Sequence, residues 1–142
     1  MGLTAGFHEV EHTADWELEV WAPDLSGLLE QAALGMYALA GIRTISEGRR
    51  DITLSINAHD EEGLLVNFLS ELLYLEEEQG LAFDDFDLSV GKPAPDDAYQ
   101  LVAKLQGSRA VSREKDIKAV TYHKMSIEPG RRGLEVRIVF DV

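Results

Sequence analysis

The chain reads as an α+β protein: two amphipathic helices packed on largely antiparallel sheet. Three observations predict this. Apolar residues recur at helical spacing in two windows, first from Leu25 to Leu39 and again from Leu64 to Leu73. Several other stretches alternate apolar and polar residues with the period of a half-buried strand. After the second helical window, strand patterns follow one another with only turn residues between them, and short turns join antiparallel strands.

The elements can be justified in order. Residues 16–22, WELEVWA, direct Trp16, Leu18 and Val20 to one face and Glu17 and Glu19 to the other. Pro23 and Asp24 end this strand, and Asp24 or Ser26 can cap the helix that follows. That helix carries Leu25, Leu28, Leu29, Ala32, Ala33, Met36 and Leu39 on one stripe and ends near Gly41. Asp51–Asn57 alternates again, with Ile52, Leu54 and Ile56 inward. Asp60 stands at the N-cap position of the second helix, and Glu61 and Glu62 complement its dipole. Four strands complete the chain: 86–90, 99–105, 121–127 and 134–140, with GKPAPDD and PGRRG as turns. The order is strand, helix, strand, helix, then four strands. No linker divides it, so residues 1–142 are expected to form a single domain.

Composition narrows the function classes. Apolar residues make up 45% of the chain, enough for a sizeable core. There is no cysteine, which removes disulfides, thiolate catalysis and thiolate zinc sites and fits a reducing compartment. No apolar run approaches a bilayer span, and the first residues lack the basic and apolar regions of a signal peptide. MGLTAG does not meet a myristoylation motif, because position 6 is Gly6. A cytoplasmic location is the expectation. Thirteen basic against 26 acidic residues give a net charge of −13, which disfavours independent binding to a phosphate backbone. The stretch 108–124 runs the other way, with Arg109, Arg113, Lys115, Lys118 and Lys124. Such a patch suits either a defined contact or a solvated loop.

There is no GxGxxG, P-loop or GxSxG. His8 and His12 are four apart but precede a strand pattern, and HEVEH is not HExxH, so ordinary surface histidines are expected there. Asp15, in EHTAD, either accepts hydrogen bonds from its turn or ligates. Asp141 adds to the second alternative. Leu134, Val136, Ile138 and Phe140 face the core, which leaves Val139 and Asp141 opposite them, and Asp141 is next to the carboxylate of Val142. Adjacent anions repel unless a cation screens them, and oxygen donors suit Ca²⁺ or Mg²⁺. Asp15 adds a third donor if the first and last of these strands are neighbours. In KAVTYHK, Lys118, Thr121, His123 and Lys124 are polar, as on a solvated strand or a contact for a phosphate or acidic partner.

HTAD before the first strand, DEEGLLVNFLSELLY in the second helix, IKAVTYHKM and the ending VFDV together resemble the archease family, in the same order along the whole chain. The resemblance implies a small α+β protein built on a strand–helix–strand–strand module. It implies a non-catalytic cofactor of an RtcB-type tRNA-splicing RNA ligase, one that promotes GTP-dependent guanylylation and repeated turnover, with tRNA met only through the ligase. It also implies a divalent-metal site at Asp15, Asp141 and Val142. Lys118 carries over as a partner-facing residue, with Asp60 and His12 as further candidates. Two other classes stay open: a small metal-dependent hydrolase using His12, Asp15 and His123, and a general chaperone or adaptor.

Overall fold

The computed structural model describes residues 4–11, 15–92 and 98–142. Along the chain run β1 (Gly6–Val10), β2 (Trp16–Ala22), α1 (Leu25–Ala40), β3 (Arg43–Thr44), β4 (Arg50–Ala58), α2 (Glu61–Gln79), β5 (Leu81–Gly91), β6 (Tyr99–Ser112), β7 (Ala119–Thr121), β8 (Glu128–Gly130) and β9 (Gly133–Asp141). One sheet has the order β1-β2-β9-β7, with β8 also on β9. The other has the order β3-β6-β4, with β5 also on β6. Every pairing is antiparallel. The expected α+β class holds, and β4-α2-β5-β6 forms the strand–helix–strand–strand unit.

The helices begin and end where their cap residues direct. Asp24 Oδ1 accepts from Gly27 N at 2.8 Å, and Asp60 Oδ1 accepts from Gly63 N at 2.7 Å. Gly41 and Gly80 close α1 and α2 in the left-handed conformation, each at φ 66°, where a side chain is disfavoured. The apolar stripes of both helices and the inner strand faces merge into one contiguous core. Phe68, Leu18, Met36, Leu64, Leu101 and Ile138 are among its fully buried side chains.

Four expectations are corrected. His8 does not precede the first strand but lies within β1, which pairs with β2 through His8↔Glu19. In GFHEV the polar residues His8 and Glu9 are adjacent, so no strict alternation announces a strand. The strand expected at 86–90 starts at Leu81 as part of β5. Leu81, Ala82 and Phe83 are all buried, so this part has no polar face to alternate with. The extended run expected over 121–127 stops at Thr121. Thr121 Oγ1 accepts from His123 N at 3.3 Å, Met125 N donates to Tyr122 O at 3.0 Å, and the chain turns. Finally, Glu17 and Val139, expected on the solvated face, are buried. Lys124, from that turn, brings Nζ to 3.8 Å from Glu17 Oε1, and Arg137 Nη1 lies 3.6 Å from Oε2.

Lys124 sits at φ 58°, the non-glycine residue with positive φ among those described. This backbone costs an L side chain about 1 kcal/mol. Lys124→Gly and Lys124→Ala both remove the contact with Glu17, but only glycine relieves the strain. Urea unfolding is expected to find the glycine variant about 1 kcal/mol more stable than the alanine variant.

At the far end of the second sheet, Arg49 grips Asp84 with two hydrogen bonds, one of 3.0 Å from Nη1 to Oδ2. The Arg49 hydrogen bond holds the Asp84 carboxyl below its ordinary range. A depressed folded value means stabilisation that is complete above the unfolded value of about 4 and is lost as the pH falls through the folded one. The pair is exposed, so Asp84→Asn should cost under about 1 kcal/mol at neutral pH. The urea curves of wild type and variant should converge below about pH 4.

Candidate functional site

β2 and β9 are neighbours, which answers the condition that the sequence left open. Their ladder runs from Ala22↔Leu134 to Trp16↔Phe140. One residue outward on the two strands stand Asp15 and Asp141, both exposed. β7 joins the other edge of β9 with Ala119 opposite Asp141, and Lys118 N donates to Asp141 O at 2.7 Å. The start of β2, the end of β9 and the approach to β7 therefore meet at one end of the first sheet. Asp15, Asp141, Val142 and Lys118 all belong to this end.

The donors there fit a hard divalent cation, because they are all oxygens and three of the groups are carboxylates. Among the described residues no three His, Asp or Glu side chains gather. The set expected from the sequence has two side-chain carboxylates, Asp15 and Asp141, with the main-chain carboxylate of Val142 as its third donor. Val142 is itself exposed.

The basic stretch beside this end is largely engaged within the molecule. Lys115 Nζ lies 3.2 Å from the centroid of the Trp16 ring, a cation–π contact at the foot of β2. Arg113 Nη1 donates to Glu76 Oε2 at 2.9 Å and contacts Asp116 at 3.4 Å. Lys118 is exposed beside the carboxylates. Three of the five bases thus have internal work, and Lys118 is the member of the patch that borders the candidate metal ligands.

The remaining candidates lie elsewhere or fall outside the description. Asp60 caps α2 and borders a groove of about 430 Å³ with Asn57, His59, Asn67 and Tyr122. His123 is exposed in the turn after β7. His12 lies outside the described residues. Sequence reasoning missed Glu17, one place beyond Trp16 on β2. Its alternation with Trp16 and Leu18 marks it as solvated, and no local signal reveals Lys124 and Arg137 converging on it.

Comparison with known proteins agrees with this architecture. Over residues 7–142 the chain matches the model of the Archease protein family. Protein archease of Pyrococcus furiosus is 34% identical over 123 residues, which cover 83% of this chain and 84% of that protein. Protein archease of Methanothermobacter thermautotrophicus is 26% identical over 140 residues, covering 96% and 99%. The solution structure of Methanobacterium thermoautotrophicum protein 1598 superposes with a TM-score of 0.73 at 24% identity, covering 96% of this chain and 99% of that one. The crystal structure of a Thermotoga maritima archease, described as a possible chaperone, gives a TM-score of 0.66 at 22% identity and covers 94% of each chain. This chain belongs to the Archease protein family.

Proposed function

We propose that this protein is a non-catalytic activator of an RtcB-type tRNA-splicing RNA ligase, promoting its GTP-dependent guanylylation and repeated turnover. We further propose that it carries a divalent ion, Ca²⁺ or Mg²⁺, on Asp15, Asp141 and the Val142 carboxylate. The observation that supports this most directly is the β2–β9 pairing, which brings the two ends of the sequence motif to adjacent strand ends.

The acidic surface suits encounter with a basic, RNA-binding enzyme and disfavours a direct grip on tRNA. The peptide N–H of Lys118 fixes the last residues of β9 through Asp141 O, which steadies the carboxylates. The Lys118 side chain then supplies a cation at the rim for an acidic group of the ligase or for a nucleotide phosphate. A bound divalent ion supplies charge neutralisation and orientation for a phosphate group.

The direct test is guanylylation of purified ligase with GTP, with and without this protein and with Asp141→Ala. Intact protein should accelerate guanylylation and the variant should not. No stimulation by intact protein would sink the activator reading. Equal stimulation by the variant would remove the metal from it. A chaperone reading, suggested by the description of the Thermotoga maritima protein, predicts instead metal-independent action on many clients. Hydrolysis of nucleotides or phosphodiesters by the isolated protein would favour a hydrolase using His12, Asp15 and His123.

A further inference from the structure

The second sheet has two long edge strands, β4 and β5; β5 carries a register shift and Asp84, Asp85 and Asp87, whereas β4 is uninterrupted. β4 pairs with β6 over its full length, and among the described residues no strand pairs its other edge. Edge strands are commonly protected by lysine, proline or a bulge. β4, RDITLSINA, has none of these, and its five central residues, 52–56, carry no charge. Ile52 and Leu54 are only partly buried. Beside them a groove of about 540 Å³ runs between β4 and α2, lined by Leu54, Ile56, Asn67, Ser70, Glu71 and Tyr74. Tyr74 is 55% exposed, one of the few large apolar side chains left in solvent.

We propose that two copies of this chain pair edge to edge through β4, antiparallel about a two-fold axis at Leu54. Charge selects a second copy as the occupant. β4 starts basic, with Arg50, and is followed directly by Asp60, Glu61 and Glu62. Antiparallel pairing at Leu54 sets Arg50 opposite Ala58 of the other copy, so each basic start approaches the other copy's acidic helix entrance. Asp51 then faces Asn57, Ile52 faces Ile56 and Thr53 faces Ser55, and no like charges oppose one another. The ladder continues the second sheet across the axis, extends its apolar face and covers Tyr74. Because the carboxylates of Asp15 and Asp141 lie on the first sheet, the dimer leaves that end accessible.

Sedimentation equilibrium over a range of protein concentrations tests this, at an ionic strength of about 0.15 M, where the Debye length of about 8 Å screens the mutual repulsion of two chains at −13. Wild-type mass should rise from monomer to dimer with concentration. Thr53 is exposed, so Thr53→Lys should fold normally and remain monomeric. Arg50→Glu should weaken the dimer by roughly tenfold, and Arg50→Glu combined with Glu61→Lys should restore it. A monomer at every concentration would overturn the proposal, and so would a dimer untouched by Thr53→Lys. Failure of the charge swap to restore association would overturn the Leu54 register.

Discussion

Asp141→Ala is expected to reduce affinity for Ca²⁺ by roughly a hundredfold or more, since even loss of a supporting partner commonly costs 10–100-fold. Asp141 is both a proposed metal donor at the end of β9 and the residue whose carbonyl anchors Lys118 N. Its backbone bond survives the substitution, so the fold should persist while the ligand is lost. A C-terminal extension should act differently on the same proposed site. Residues added after Val142 convert its carboxylate to a peptide group and remove one negative charge from a hard-cation site. Calorimetric titration of untagged, tagged and Asp141→Ala proteins separates these effects. Unchanged affinity in the tagged protein removes Val142 from the ligand set. In the untagged protein, Ca²⁺ at a hundred times its dissociation constant should add about 2.7 kcal/mol to stability, a shift that thermal unfolding reads independently of the ligase.

Gly107→Ala should be strongly destabilising although it adds a single methyl group. Gly107 is buried on β6, opposite Phe83, where the β5–β6 register shifts between Phe83 and Asp85. A Cβ there meets Ala82 O and lies 2.7 Å from Phe83 Cα. These are backbone atoms of a paired strand, so no side-chain rotation clears the overlap. Overpacking a core typically costs 1–3 kcal/mol, and a clash against backbone belongs at or above the top of that range. About 3 kcal/mol is a large share of the 5–15 kcal/mol that holds a domain together. Urea denaturation should show a lower midpoint with an unchanged slope, because the same surface is exposed on unfolding. A midpoint equal to wild type would mean that the β5 bulge can open by a separation of strands.

Local chemistry made the helices legible. Asp24 with Gly41, and Asp60 with Gly80, mark both ends of α1 and α2 through orphan N–H and C=O groups, which depend only on near neighbours. Alternation likewise identified β2, β4 and β9, with Leu134, Val136, Ile138 and Phe140 facing the core side. What stayed hidden depends on residues distant in sequence. Glu17 is polar by type, but Lys124 and Arg137 enclose it, from 107 and 120 residues away. Leu81–Phe83 loses its alternation because both faces of that segment are covered. The candidate site was half legible. Asp15 and Asp141 stand out by type and position, while their juxtaposition rests on β2 lying next to β9, a pairing across nearly the entire chain.

That pairing also dictates when the first sheet can exist. β9 lies between β2 on one edge and β7 and β8 on the other, yet it is synthesised after all of them. Until β9 emerges, β2 has only β1 as a partner, and the apolar side chains of Leu18 and Val20 lack Ile138 and Val136 across the ladder. The β4-α2-β5-β6 unit is complete much earlier. A nascent chain thus holds one finished sheet and one waiting for its middle strand, and its vulnerability to misassociation is concentrated in that interval.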